Sequence, residues 1–108
     1  MSSLFDFSGI DDLIHTRMRL AILTYLASVD DADFKSILEA TGSSDGNVSV
    51  HLKKLEDAGY LAISKTFVKR RPHTRARITD AGRDALIAYI DQVDAVFSKV
   101  RNAVGGGT

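Results

Sequence analysis

The chain has 108 residues, 44% of them hydrophobic and 26% charged, which predicts a single domain (residues 1–108) with an ordinary apolar core. The absence of cysteine excludes disulfides and thiolate metal sites, and 14 basic residues balance 14 acidic ones to give zero net charge. No apolar run approaches the roughly 20 residues of a membrane span and no signal pattern opens the chain, so we expect a soluble, cytoplasmic protein with no membrane partner.

The first part of the chain predicts two helices after an apolar N-terminal segment. Residues 1–9 carry three large apolar side chains that we expect to pack on another surface: Leu4, Phe5 and Phe7. Apolar spacing predicts a helix over residues 10–27 with a bend near Thr16. Residues 28–33 are predicted as a loop with an aspartate N-cap, and a short second helix follows and ends at Gly42.

A third helix is predicted over about residues 44–58. Ser43 or Ser44 supplies its N-cap, and Asp45 favours its positive N-terminal end. One stripe of this helix is apolar at helical spacing and is predicted to be buried: Val48, Leu52 and Leu55. The opposite face is polar and rich in hydrogen-bond donors, with one apolar member, Val50, beside Asn47, Ser49, Lys53 and Lys54.

A β-hairpin is predicted after the third helix. Leu61, Ile63 and Phe67 alternate with polar neighbours, which indicates a half-buried strand. "KRRPHT" is predicted as the turn, and "RARI" as the returning strand. In that strand, alternation puts two arginines on one face and two apolar residues on the other: Arg75 and Arg77 against Ala76 and Ile78.

Positive charge is concentrated in this hairpin. No acid lies between Asp57 and Asp80, whereas six cations do: Lys65, Lys69, Arg70, Arg71, Arg75 and Arg77. The remaining eight basic residues are outnumbered by the 14 acidic ones. Such segregation indicates a local binding surface for a polyanion despite the zero net charge.

The last helix is predicted from a Thr79 N-cap to about Ala103. Its apolar residues recur at steps of three and four: Leu86, Ile90, Val93, Phe97, Val100 and Val104. A helix of about 25 residues, roughly 37 Å long, exceeds what one small domain can cover. Residues 1–9 and 79–104 are therefore predicted as dimerisation segments around a winged core at 10–78. The alternative is a helix that folds back on its own domain.

The order of elements predicts a mainly α fold, a winged helix-turn-helix with a long C-terminal helix. Its third helix would enter the major groove of DNA, with these residues at bases or phosphates: Ser44, Gly46, Asn47, Ser49, Val50, Lys53 and Lys54. The hairpin, at about residues 65–77, would be a wing on the backbone or in the minor groove. Its predicted contacts are basic: Lys69, Arg70, Arg71, His73 and Arg75.

Two stretches carry a family resemblance, "SDGNVSVHLKKLEDAGYL" and "KTFVKRRPHTRARITDAGRDAL". They resemble winged-helix transcriptional regulators of the MarR/ArsR superfamily, and most closely the small stand-alone winged helix DNA-binding domains of bacteria and archaea. The resemblance implies a homodimeric repressor or activator that binds double-stranded DNA, with a palindromic site expected from two-fold symmetry. Lys69 stands where that family commonly has glycine, and Ala76 where it has an aromatic residue.

The sequence contains few features that indicate catalysis, metal binding or cofactor binding. The acids at residues 11–12 and 30–33 lie at predicted helix starts, where they stabilise the helix dipole, and no nucleophile or phosphate loop is present. The three histidines, His15, His51 and His73, are scattered along the chain. No enzyme, metal site or cofactor is therefore predicted. Two alternatives stay open, a winged helix that binds only proteins and one that binds RNA or DNA without sequence preference. No residue indicates a small-molecule effector.

Overall fold

The computed structural model describes residues 9–105 and confirms the winged helix-turn-helix fold. The predicted contacts of Leu4, Phe5 and Phe7 lie outside the described residues. In chain order the elements are α1 (Arg17–Val29), β1 (Asp31–Asp33), α2 (Phe34–Thr41), α3 (Asp45–Asp57), β2 (Leu61–Val68), β3 (Arg71–Ile78) and α4 (Asp80–Val104). The three strands form one antiparallel sheet in the order β1-β3-β2.

The helices begin and end where short polar residues and glycine predict. A side-chain oxygen accepts a backbone N–H at each of three N-caps: Asp33 for α2, Ser44 for α3 and Thr79 for α4. Gly42 follows α2 with a φ of 65°, in the left-handed region that glycine tolerates best. Because each cap satisfies an orphan N–H, these boundaries are fixed locally.

The predictions for the first helix and the loop after it were wrong in part. The helix begins at Arg17 rather than residue 10, because the Thr16 side chain caps it by accepting the backbone N–H of Arg19. The Asp11 carboxylate accepts the backbone N–H of Leu13 at 2.9 Å, and residues 12–14 form a turn. Residues 31–33, expected in a loop, form β1 and pair with β3. This strand has three residues and buries only Ala32, so it shows no alternation of apolar and polar residues from which a strand could be predicted.

The core lies between the helices and the inner face of the sheet. The predicted stripe of α3 is buried, with exposures of 0–4%: Val48, Leu52 and Leu55. Ala76 and Ile78 are buried while Arg75 and Arg77 are exposed, as alternation predicts. Ala76 stands at the position where the family pattern has an aromatic residue. It pairs with both Ala32 and Ile63 and is 1% exposed.

The wing is longer and its turn tighter than predicted. β2 and β3 pair from Leu61–Ile78 out to Val68–Arg71, so only Lys69 and Arg70 form the turn. Both adopt positive φ, 51° and 67°, which matches the right-handed twist of a two-residue hairpin. Phe67, predicted half-buried, is 76% exposed, because the hairpin extends beyond the core that its base covers.

The apolar residues of α4 divide into a buried set and an exposed set on adjoining faces of one side of the helix. Leu86 is only 6% exposed and packs in the core together with Tyr89 and Val96, so its predicted place in a dimer interface is corrected. A second set is exposed: Ile87, Ile90, Phe97 and Val104. Val93 and Val100 are half-buried between the two faces. Residues at heptad spacing drift only about 20° around a helix per heptad, so the spacing places them on one side of α4 without reporting which part of that side the core covers.

Candidate nucleic-acid interface

The outward face of α3 presents the residues that the sequence predicts at DNA. Gly46, Asn47, Val50 and Lys54 are all exposed. The Ser44 hydroxyl accepts the Asn47 backbone N–H at 3.3 Å, so Ser44 acts first as the helix cap. The amide group of Asn47 donates to the Ser43 hydroxyl at 2.8 Å. This local bond holds the amide at the N-terminal end of α3, the end that enters a groove first.

A partly buried hydrogen bond fixes α3 to α1. The Arg19 guanidinium, in a residue only 9% exposed, lies 3.1 Å from Nδ1 of His51 and also donates to the Leu13 carbonyl. As the arginine is always a donor, His51 accepts through Nδ1 and is neutral. Burial lowers the pKa of His51, and the positive charges of Arg19 and Lys54 lower it further. Neither residue was predicted to form this link, since they are 32 residues apart.

Lowering the pH from about 7 to 5 is expected to decrease the free energy of unfolding through His51. The folded-state pKa lies below the ordinary value of 6.5, so the unfolded chain takes up the proton first. This stabilisation is complete above pH 6.5 and is lost as the pH falls toward the folded-state pKa. Urea titrations of wild type and His51→Gln test this expectation, because glutamine can accept the Arg19 bond without titrating. Parallel pH profiles for the two proteins would contradict it.

Two of the predicted DNA-contacting cations already have acidic partners. Nζ of Lys53 lies 3.0 Å from Asp57 and 3.8 Å from Glu56, and the hydrogen bond to Asp57 raises the pKa of Lys53. Arg75 donates through Nε to Asp31 at 2.8 Å, across the β1–β3 pairing that the sequence did not predict. A paired cation attracts phosphate less, so the predicted roles of Lys53 and Arg75 are weakened.

The tip of the wing holds three cations without acidic partners in the part of the chain that the structure describes. Lys69, Arg70 and Arg71 are exposed, and none forms an ion pair with any residue from 9 to 105. His73 is half-buried on the same strand as Arg71. The two turn residues carry cations in backbone conformations that favour glycine, which costs stability on the order of 1 kcal/mol per residue. The wing thus keeps its charge at the expense of backbone strain.

A shallow groove separates α3 from the wing. Its cavity volume is about 150 Å³, and both elements contribute polar side chains: Ser49, Lys53 and Glu56 from α3, and Lys65 and Thr74 from the wing. Ser49 therefore lies on the wing side of α3 rather than on its outermost face. Lys65, which was not among the predicted contacts, faces the same groove. The outward side of α3 and the base of the wing adjoin at this groove.

Polar contacts that the sequence did not reveal tie residues 9–16 to the rest of the fold. Tyr60 donates a hydrogen bond from its hydroxyl to Asp11 at 3.0 Å. Burial is the main cause that raises the pKa of Tyr60, and the hydrogen bond to Asp11 raises it further. His15 Nδ1 lies 2.7 Å from the Tyr89 hydroxyl of α4. These contacts join distant parts of the chain and leave no periodic signal. Within residues 9–105 no three acidic or histidine side chains are grouped to hold a metal ion, and no helix suits a bilayer.

A helix-turn-helix with an exposed donor face, followed by a basic β-hairpin, defines a winged-helix DNA-binding domain. The chain belongs to the family described as "winged helix DNA-binding domain", whose sequence model matches residues 18–97. The resemblance to winged-helix regulators predicted from residues 44–61 and 66–83 is thereby confirmed.

The chain is similar to an uncharacterized archaeal protein and to solved structures of transcriptional regulators. The chain is 33% identical over 81 residues, 75% of its length, to an uncharacterized protein of Methanocaldococcus jannaschii, 88% of which is covered. A transcriptional regulator homologue from Pyrococcus horikoshii superposes with a TM-score of 0.74 at 26% identity, covering 82% of this chain and 87% of that one. A MarR-family regulator from Silicibacter pomeroyi shares the fold, with a TM-score of 0.58, 18% identity and coverages of 89% and 62%. Family and neighbours together support a DNA-binding transcription regulator.

Proposed function

We propose that this protein is a homodimeric, sequence-specific regulator of transcription that represses by occupying a palindromic operator in double-stranded DNA. In this proposal α3, at about residues 44–58, lies in the major groove, and the wing, at about 65–77, lies on the backbone or in the minor groove. The observation that carries the proposal is the exposed donor face of α3 beside a hairpin whose tip carries three exposed cations without acidic partners within residues 9–105. Amides, hydroxyls and cations are the groups that read base edges and phosphates.

The dimer part of the proposal rests on the outer face of α4. Ile90 is 46% exposed and Phe97 is 52% exposed, and the two lie seven residues apart on one face. Exposed apolar residues at this spacing favour packing against a second helix, with Val93 and Val100 at its edge. Leu4, Phe5 and Phe7 are proposed to join this interface. A two-fold dimer would set its recognition helices about 34 Å apart, one turn of DNA.

Fluorescence anisotropy tests the proposal directly. A labelled duplex from the region upstream of the protein's own gene is compared with a scrambled duplex at several salt concentrations. Tight binding to the first duplex and weak, salt-sensitive binding to the second is expected. Sedimentation should give twice the 11.7 kDa of one chain. A protein that binds neither duplex at low salt would favour the alternative, a winged helix that binds only other proteins.

Replacing Asn47 with alanine is expected to weaken binding to the specific duplex by about 1–3 kcal/mol and leave binding to the scrambled duplex nearly unchanged. The amide can exchange its bond to Ser43 for a bidentate contact with an adenine edge. Asn47 is exposed, so the change should not disturb the core. The measurement is anisotropy on both duplexes, with Ser43→Ala as a control that frees the amide. Equal losses on the two duplexes would show that Asn47 does not read bases.

A further inference from the structure

The wing tip carries an exposed apolar pair that the proposed contacts do not use. Phe67 is 76% exposed, and its partner across the hairpin is Pro72, also exposed. Alternation along the strands puts this pair on the face that holds Ile63 and Ala76 nearer the base. At the base that face covers the core, whereas at the tip it extends beyond the core.

The apolar pair continues the surface proposed to bind DNA. Lys65 lines the groove between α3 and the wing together with Ser49. Phe67 follows Lys65 by two residues, so it lies on the same face about 7 Å further toward the tip. The side of the wing that faces α3 at its base is therefore the side on which Phe67 projects. Val68, by contrast, lies on the opposite face of β2.

The surrounding charge indicates what covers this pair. Four cations flank it along the wing: Lys65, Lys69, Arg70 and Arg71. No acid lies between Asp57 and Asp80 to repel a polyanion. Lys65 lies on the same face two residues nearer the base, and Arg71 lies on the other face. Lys69 and Arg70 form the turn beyond the apolar pair. An apolar pair with cations before and after it along the strand suits the minor groove, which is narrow and negative at its edges and offers stacked bases within. Apolar side chains that enter this groove separate base steps and bend the duplex.

We propose that Phe67, which lies opposite Pro72 in the hairpin, enters the minor groove beside each half-site as an apolar wedge and opens one base step. The inference rests on the proposed function, because it needs α3 to be docked in the neighbouring major groove. Flexible pyrimidine–purine steps, TA and CA/TG, open at least cost, so the wedge adds a preference for such a step at a position that no side chain reads by hydrogen bonds. Phe67 is thus a specificity-determining residue of the wing.

The test selects duplexes from a randomised library with wild type, Phe67→Ala and Val68→Ala. The Val68 variant is the matched control, because Val68 is an adjacent and exposed apolar residue (52%) on the other face of the same strand. We expect wild type and the Val68 variant to select a TA or CA/TG step outside the half-site and to bend the selected duplex, measured by energy transfer between its ends. The Phe67 variant should lose the step, bend less and bind about tenfold more weakly.

Three outcomes separate the inference from the function on which it rests. A Phe67→Ala protein that selects the same step and bends DNA as wild type does would overturn the wedge while leaving the regulator intact. Equal losses for the Phe67 and Val68 variants would also overturn it, since the effect would then belong to the wing as a whole. A wild-type protein that selects no duplex would refute the proposed function itself. Phe67→Leu, which keeps an apolar side chain, should retain part of the bend.

Discussion

Replacing Gly82 with alanine is expected to lower the free energy of unfolding by about 3 kcal/mol, the upper end of what overpacking costs. Gly82 lies in the first turn of α4, where an added Cβ would collide with the carbonyl oxygen of Tyr60 and come within 2.9 Å of Cγ1 of Ile78. The Tyr60 carbonyl cannot retreat, because it also accepts the backbone N–H of Thr79 at 3.0 Å. The start of α4 would therefore have to move away from the wing.

Thermal unfolding measures this effect, and Gly46→Ala is the matched control. Gly46 also lies in the first turn of a helix, yet a Cβ there meets nothing within 4 Å. Alanine at Gly46 is expected to leave stability unchanged or raise it by up to about 1 kcal/mol, whereas alanine at Gly82 should lower the melting temperature by about 10 °C or more. A Gly82 variant that melts with wild type would mean that α4 does not approach Tyr60 this closely.

The sequence predicted those parts of the fold that local chemistry determines. Ser44 and Thr79 begin helices because a short hydroxyl side chain satisfies a free N–H, whatever the rest of the chain does. Helix α3 and strand β3 each bury one face, so the spacing of their apolar residues was enough to predict which side chains are buried. Gly82 is different: its sequence context shows only a glycine in a helix, and its role depends on the Tyr60 backbone, 22 residues earlier.

The errors of prediction concern partners distant in sequence. The sequence predicted Arg75 as a free cation, but in the structure β1 places Asp31 beside it. A strand of three residues offers no periodicity from which to predict that pairing. Phe67 continued an alternating pattern and was expected to be half-buried, because periodicity does not report where the core ends. For α4, spacing alone identified apolar residues without separating those that cover the chain's own core from those left exposed.

Replacing Arg70 and Arg71 together with alanine is expected to weaken binding to specific and scrambled duplexes alike. Neither guanidinium has an acidic partner within residues 9–105, so each is free to displace a counterion from a phosphate. The slope of log affinity against log salt should fall by about one to two for each subunit on the duplex. Arg75→Ala is the control, because Asp31 already neutralises Arg75 and the slope should change far less. An unchanged slope in the double variant would remove the wing from the interface.

The backbone at Arg70 allows loss of charge to be separated from loss of structure. Its φ of 67° is costly for arginine or alanine and easy for glycine. Arg70→Gly should therefore raise the free energy of unfolding by about 0.5–1 kcal/mol while it weakens DNA binding. Opposite changes in stability and affinity would show that the strained cation is kept for the duplex. If the glycine variant bound DNA as tightly as wild type, the charge at this turn would have no role in binding, and the strain would need another explanation.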